Sequence, residues 1–241
     1  IYTQDIDLAE FEVICVDDCS PDNMKKIIFD YQALYGNLFY IKHDANKGQG
    51  GARNTGLYKA KGEYVWFVDN DDSIKLHCVV NMLNICFVNH LDILMFNFSR
   101  DGKSPKFLVQ DSSISGLEYI EQWLNTGDSY NYTSFFSIWT YLFNRTFLLE
   151  NNILFKENQR VLEDVAFSYK ALCNATRLRS IPEINYFFGN NNNSASRIRL
   201  NADKLFNGYF GITESLIELY YQFQGSDINV SDRLLLPDAI Y

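Results

Sequence analysis

Val68-Asp69-Asn70-Asp71-Asp72 places two carboxylates at i and i+2 directly after an apolar run, and on an extended backbone such residues point the same way. Carboxylates that close repel each other unless a cation lies with them. Hard oxygens with room for water and phosphate suit Mg²⁺ or Mn²⁺. A helix cap at Asp71 or Asp72 and a solvated turn at Asp69 would explain the same residues without a metal. A second segment, Asn46-Lys47-Gly48-Gln49-Gly50-Gly51-Ala52-Arg53-Asn54-Thr55-Gly56, lacks the Gly-Lys-Ser/Thr of a Walker loop and has Arg53 where the dinucleotide fingerprint needs its third glycine. It retains a glycine-rich helix start, whose free N–H groups and dipole favour an anion, with Arg53 one turn in as a fixed cation. Glu12-Val-Ile-Cys-Val-Asp17-Asp18-Cys-Ser20 ends another apolar run in acids, and Leu162-Glu163-Asp164-Val165-Ala166-Phe167 opens a helix with an acid pair. Either could be helix capping alone.

These acids need elements to hold them. Glu12 to Asp17 reads as a buried strand, followed by a helix from the Ser20-Pro21-Asp22 cap to about Tyr35. Leu38 to His43 reads as a strand, Gln49 to Lys61 as a helix stopped by Gly62, and Tyr64 to Val68 as a third strand. Ser73 to Asn89 reads as a helix capped by Asp72 or Ser73, and Asp92 to Asn97 as a fourth strand. This alternation is an α/β signature, and its short crossovers imply mostly parallel pairing, with ligands gathering at the carboxyl ends of strands. Asp17, Asp18, Asp69, Asp71 and Asp72 all fall at such ends. Beyond Arg100 the pattern becomes a helix over Gly116 to Asn125, an aromatic stretch over Tyr130 to Phe143, a helix near Val161 to Cys173, and short strands at Leu178 to Ile181 and Ile184 to Phe188. Asn190 to Asn193 reads as a loop that orders on binding. Asn201 to Gln224 reads as one long terminal helix.

The 241 residues, 47% hydrophobic and 16% aromatic, supply a packed core, which excludes disordered and fibrous classes. Lys plus Arg number 21 against 30 for Asp plus Glu, a net charge of −9, and no basic run occurs. Nucleic acid is therefore not an expected partner. Apolar runs fall short of the ~20 residues that span a bilayer, and Ile1 to Glu10 carries acids where a signal peptide needs an apolar core, so the expectation is a soluble, cytoplasmic protein. Five cysteines without a CxxC pair, and His77 beside Cys78 on one segment, read as buried thiols rather than a disulfide framework or zinc site.

Taken in order, the four acid and glycine segments resemble the inverting family 2 glycosyltransferases of the GT-A fold. The family's Asp-Asp-Gly-Ser strand end is matched by VDDCSPDN, with Cys19 in place of the glycine, and its N-x-G-x-x-x-A-R-N-x-G segment by NKGQGGARNTG. Its aromatic-x-Asp-x-Asp-Asp motif is matched by FVDNDD, its Glu-Asp base motif by VLEDVAF, and its aromatic strand with a Ser-x-Ser element by NYFFGNNNNSASRIR. The match runs from about Leu8 to Arg199.

The resemblance implies an α/β GT-A domain over 1–200, with a nucleotide-sugar half at 1–100 and an acceptor half at 101–200, followed by a helical segment at 201–241. It implies transfer of a sugar, with inversion, from a nucleotide-diphosphate donor, expected to be UDP-linked, to a glycan or lipid-linked saccharide in surface polysaccharide synthesis. Asp17 would accept from the base imide with Asp18 in support, and Arg53 would lie near the base or diphosphate. Asp69 and Asp71 would face ribose and a Mg²⁺ or Mn²⁺ ion, Asp71 as the direct ligand. Asp164 would be the general base and Glu163 its neighbour. Lys47, Arg53 and Arg197 or Arg199 would make the site locally positive. Trp139, with Tyr132, Phe135, Phe136 and Tyr141, lies where the family builds its acceptor wall, and a lipid-linked acceptor would bring peripheral membrane contact.

Family members carry a strand and helix ahead of the VDD strand. Relative to them roughly 30 residues, about one βα unit, precede the match, and the strand is expected from a longer chain or from a second copy in a homodimer. A monomer of only these 241 residues is expected to be poorly stable. Two other classes stay open: a sugar-phosphate nucleotidyltransferase, which shares the layout and metal use, and an inactive binding remnant.

Overall fold

A computed structural model describes residues 1–106, 108–126, 136–159, 161–189 and 202–223. The expectations for Tyr130 to Phe135, for the Asn190 loop with Ser194 to Arg199, and for 224–241 lie outside the described residues. In chain order the elements are β1 (Val13–Asp17), α1 (Met24–Gln32), β2 (Leu38–Lys42), α2 (Gly48–Lys59), β3 (Tyr64–Trp66), β4 (Ser73–Ile74), α3 (Val79–Asn89) and β5 (Ile93–Arg100). There follow β6 (Gln110–Ile114), α4 (Gly116–Asn125), a 3₁₀ turn at Ile138–Thr140, β7 (Tyr141–Asn144), α5 (Arg145–Glu150), α6 (Glu163–Asn174), β8 (Leu178–Phe188) and α7 (Ala202–Phe223).

The strands form two sheets. β1 and β2 pair in parallel, Val13 with Leu38 through Asp17 with Lys42. A six-stranded sheet has the order β3-β7-β5-β8-β4, with β6 also on β8. In it β5 and β8 are parallel, and the other pairs are antiparallel. The mostly parallel expectation therefore holds for β1·β2 and β5·β8 alone, because β7 arrives from the second half of the chain, not through a right-handed crossover, and slots between β3 and β5. The expected halves at 1–100 and 101–200 share this one sheet.

Alternation along β5 builds the core. Ile93 and Met95 face one cluster with Tyr141, Phe143, Phe167 and Leu172, while Leu94, Phe96 and Phe98 face another with Met82, Cys86 and Tyr186. Successive side chains of a strand point to opposite faces, so α4, α6 and α7 cover one face of the sheet and α3 the other. Cys78, Cys86 and Cys173 are buried, as the thiol reading expects, whereas Cys15 is half-buried and Cys19 is exposed.

Three elements differ from the sequence reading for local reasons. The helix expected from Ser73 starts only at Val79. Ser73 and Ile74 instead pair with Phe187 and Tyr186, and the amides of Cys78 and Val79 donate to Gln4 Oε1. β8 is one strand where two were expected. Its register against β5 jumps from Phe96↔Ile181 to Asn97↔Ile184, so Pro182, which has no N–H to give, is bulged out. The first helix has Asn23 at its N-cap position, without a side-chain cap, rather than the expected Ser20-Pro21-Asp22 cap, and the Ser20 amide donates to Asp17 Oδ1 at 2.7 Å.

Candidate active site

Helix α2 is the hub of the site. Its buried face is Gly48, Gly50, Gly51, Asn54 and Leu57, and Arg53, Asn54 and Thr55 each reach a different segment of the chain. Asn54 clamps the Phe155 peptide in both directions, Nδ2 to the carbonyl at 2.8 Å and Oδ1 from the amide at 2.9 Å. A Cβ at Gly50 would lie 2.9 Å from the Phe155 Cβ and 3.0 Å from the Lys156 carbonyl, so only glycine allows that approach. The segment leading to Glu163 and Asp164 is thereby tied to α2.

Arg53 makes the central link. Its Nη1 donates to Glu163 Oε1 at 2.8 Å and its Nη2 to Asp69 Oδ1 at 3.0 Å, and its guanidinium lies 5.5 Å from the Phe155 ring centroid. The fixed fork of arginine suits such a two-carboxylate bridge. Arg53 was expected beside the donor, but both its arms are committed to carboxylates of the protein. Its structural effect is to join the FVDNDD loop to the start of α6. Glu163 is buried and held by this bridge. Leu162, not an acid, occupies the N-cap of α6 at φ 61°, without a side-chain cap. Neither acid thus stands at the N-cap position, and of the two only Asp164 accepts a first-turn amide.

Asp164 is half-buried, and its Oδ1 accepts the Val165 amide at 2.9 Å. Burial first and the Glu163 charge second push its carboxyl up to about 7, against the pull of Arg53. A group poised there is suited to exchange a proton near neutrality.

The FVDNDD residues are arranged differently from the extended strand that the spacing suggests. β3 ends at Trp66, and a turn closed by the Asp72 amide on the Asp69 carbonyl at 3.3 Å carries the acids. Asp69 is paired with Arg53. Asp71 is exposed, and no side-chain partner engages it among the described residues. Asp72 is an anchor: it accepts from the Tyr186 hydroxyl and from the Gly189 amide at 2.6 Å. Burial raises its carboxyl above the ordinary range, with those two donors opposing. A Cβ on Gly189 would fall 1.9 Å from the Asp71 carbonyl, so the end of β8 and the acid loop meet backbone to backbone. Among the described residues no three His, Cys, Asp or Glu side chains cluster as a cage for a metal. Hard carboxylate oxygen at an exposed Asp71 beside Asp69 fits a Mg²⁺ or Mn²⁺ ion whose remaining ligands are waters and phosphate.

The strand end of β1 is densely bonded. Asp17 is 2% exposed, with Oδ1 on the Ser20 amide and Oδ2 on the Tyr40 hydroxyl at 2.6 Å. The Tyr40 bond, then the Ser20 amide, hold its carboxyl below the usual range, and Tyr40 is pushed up to about 12 in return. Asp18 accepts the amides of Lys47 and Gly48, both at 2.8 Å, so the glycine-rich helix start expected to receive a ligand anion already holds this carboxylate. Burial works against the Asp18 charge, but those amides and His43 outweigh it and keep its carboxyl low. Cys19, standing where the family pattern has glycine, sits at φ 63°, in the left-handed region that glycine adopts without steric cost.

Trp139 is core, not an open wall. It is 7% exposed, stacked on Tyr186 at 4.6 Å and 19° and edge-on to Phe98 at 4.7 Å. Phe136 and Tyr141 are likewise buried. An aromatic run next to a strand fills a sheet face more readily than it lines solvent. Sequence reasoning did not single out Tyr40, His43, Asn54 or Tyr186, whose roles come from partners distant in the chain. Asn54 alone had a signal, standing inside the glycine segment next to Arg53.

The profile of the family described as "Glycosyl transferase family 2" matches residues 3–151. The uncharacterized glycosyltransferase EpsJ of Bacillus subtilis is 30% identical over 196 residues, covering 79% of this chain and 56% of that protein. The poly(ribitol-phosphate) β-N-acetylglucosaminyltransferase TarS of Staphylococcus aureus is 30% identical over 186 residues, covering 77% of this chain and 31% of that protein. The chain thus spans about half or less of the length of these relatives. A crystal structure of S. aureus TarS residues 1–349 in complex with UDP-GlcNAc superposes with a TM-score of 0.74 at 24% identity, over 96% of this chain and 62% of that one. The α/β architecture with helices on both sides of a central sheet is therefore that of the TarS GT-A structure.

Proposed function

The chain belongs to glycosyl transferase family 2, and on that premise we propose that it transfers a sugar from a UDP-linked donor to a glycan or lipid-linked saccharide, with inversion, in surface polysaccharide synthesis on the cytoplasmic side. The observation that carries the proposal is the Arg53 bridge between Asp69 and Glu163, which ties an acid loop fit for a diphosphate and its cation to the helix start that carries a carboxyl poised near neutrality.

In this reading Asp164 is the general base. Its Oδ1 is turned to the Val165 amide, which leaves Oδ2 to take the proton of the acceptor hydroxyl as that oxygen attacks the anomeric carbon from the face opposite the leaving diphosphate. Arg53 acts from behind, holding Glu163 and Asp69 in register. Asp71, with Asp69 beside it, would hold Mg²⁺ or Mn²⁺, and such an ion, when bound, supplies charge neutralisation for the departing diphosphate. At the base end the two aspartates divide the work. Asp17 is buried with both oxygens engaged, so it stiffens the strand end. Asp18, whose side chain keeps 17% exposure, is the better placed to meet the base imide. An ionised carboxylate offers about four lone-pair sites. His43, Lys47 and Gly48 use three of them, which leaves one on Oδ2. TarS structures carry UDP and UDP-GlcNAc, which favours uracil here. Among the described residues the outer edges of β1 and β3 carry no strand partner and are where a second copy would join in a homodimer, and an acceptor on a lipid would bring the protein to a membrane surface. No helix among the described residues is long and apolar enough to cross a membrane. We divide the chain functionally as the sequence suggests, donor half 1–100, acceptor half 101–200 and terminal helical segment 201–241.

Calorimetry with UDP tests this reading. Binding is expected with Mn²⁺ or Mg²⁺, little in EDTA, and tighter than ADP, since adenine has no imide N–H to give Asp18. Equal affinity with and without cation removes the metal role, and a preference for ADP removes the uracil assignment.

A further inference from the structure

His43 directly follows β2 and is 8% exposed. Its backbone amide donates to the Asp17 carbonyl at 2.9 Å, its Nδ1 lies 2.7 Å from Asp18 Oδ1, and its Nε2 lies 2.8 Å from Thr55 Oγ1 on α2. Proton accounting sets the direction of the Asp18 contact. Asp18 already receives two backbone amides and is ionised, so it can only accept, and Nδ1 must carry a proton. Thr55 is adaptable. Its hydroxyl also reaches the Gly51 carbonyl at 3.0 Å, so Oγ1 can accept from an Nε2–H while donating to Gly51, or turn and donate to a bare Nε2. In both arrangements the ring is braced from α2 and the Nδ1–H points at Asp18. A ring needed only to fill space would require neither bond.

We propose that His43 is a positioning residue for recognition of the donor base: braced by Thr55, it occupies Asp18 Oδ1 and so leaves the one uncommitted lone pair on Oδ2 turned toward the imide of a uracil-type base. The proposal rests on the reading of the chain as a nucleotide-sugar transferase and names the residue that sets base selectivity within it. Because His43 touches neither Asp164 nor the acid loop among the contacts above, it should govern binding of the donor rather than turnover.

Two isosteric variants separate the ring's two contacts. The amide nitrogen of asparagine falls near the place of Nδ1, and that of glutamine near the place of Nε2. His43→Asn therefore keeps the donor to Asp18, while His43→Gln keeps only the link to Thr55. Loss of a hydrogen bond to a charged group should raise the UDP Kd and the donor KM about tenfold or more in His43→Gln, with kcat within about threefold and a narrowed preference for UDP over ADP. His43→Asn should stay within about threefold of the parent on all three readings. If His43→Gln unfolds, Thr55→Val, which removes the brace and keeps the size, should raise KM in the same direction by a smaller factor. UDP binding unchanged in His43→Gln, or lost equally in both histidine variants, would overturn the proposal. Nitrogen NMR of the imidazole is read alongside: a protonated Nδ1 without nucleotide is expected, and a bare Nδ1 overturns the Asp18 contact whether or not UDP binds. A protonated Nδ1 in a protein that binds no UDP at all would instead overturn the donor reading, and the role assigned to His43 with it.

Discussion

The β1–β2 unit and the six-stranded sheet are built to different standards. In β5 the residues from Ile93 to Phe96 are fully buried, both faces of the sheet are covered, and rings such as Phe155 and Phe167 stack at 3.9 Å. α1, which accompanies β1 and β2, has no buried residue, and Ile27, Phe29 and Phe39 are exposed. What holds β1 and β2 in place is largely polar: Asp17, Asp18 and His43 tied to Tyr40, Lys47, Gly48 and Thr55. The proposed base and acid loop belong to the well-packed sheet, the proposed uracil contacts to the lightly packed unit, and α2 spans the two. The contrast implies that chemistry depends on a stiff scaffold while donor recognition depends on a network that a single substitution can loosen.

The largest effect should come on the stiff side. Asp164→Asn deletes proton acceptance but keeps size, so turnover should fall by about 10²- to 10⁴-fold while UDP affinity stays within about threefold. Single-turnover assay with UDP titration checks both, and turnover within tenfold of the parent would assign the base elsewhere. The same carboxyl sets a pH dependence. Because the folded protein raises it to about 7, kcat/KM should rise with pH toward about 7 and level above it. The folded state binds the extra proton, so this group's stabilising contribution is present at low pH and is lost as pH rises from the ordinary carboxylate range through about 7. Asp164→Asn should flatten both profiles.

Next in size is a paired test of packing. Phe96→Ala empties a site with no exposure and should cost about 3–5 kcal/mol. Ile27→Ala on α1, 58% exposed, should change stability by no more than about 0.5 kcal/mol. Urea unfolding of the two variants measures the contrast, and comparable losses would erase it.

The smallest effect should have the opposite sign. Cys19 is held at φ 63°, a conformation costing a side chain about 1–2 kcal/mol. Glycine avoids that cost but loses about 0.5–1 kcal/mol more in chain entropy. Cys19→Gly should therefore stabilise by up to about 1.5 kcal/mol, read as a raised urea midpoint, and a destabilised variant would show that the Cys19 side chain is used.

Elements whose register is written in local alternation or capping were legible from the residues. α4 has the expected bounds, Gly116–Asn125, closed by a Ser115–Glu118 capping box, and β1, β2, α2 and β5 lie within a few residues of their expected places. The four acid and glycine motifs, in order, were enough to reach the family, because each needs particular residue types at a strand end or helix start. Tertiary structure alone decided the rest. That β7 would insert between β3 and β5 depends on which edges were free once the chain had folded back. That Arg53 would bridge Asp69 and Glu163, residues 16 and 110 positions away, depends on α2 lying between two segments distant in sequence. Trp139 became core because a sheet face had to be covered there. Side-chain types are local properties of a chain, whereas the partner that completes a charge, a proton or a packing surface is chosen only when distant segments are brought into contact.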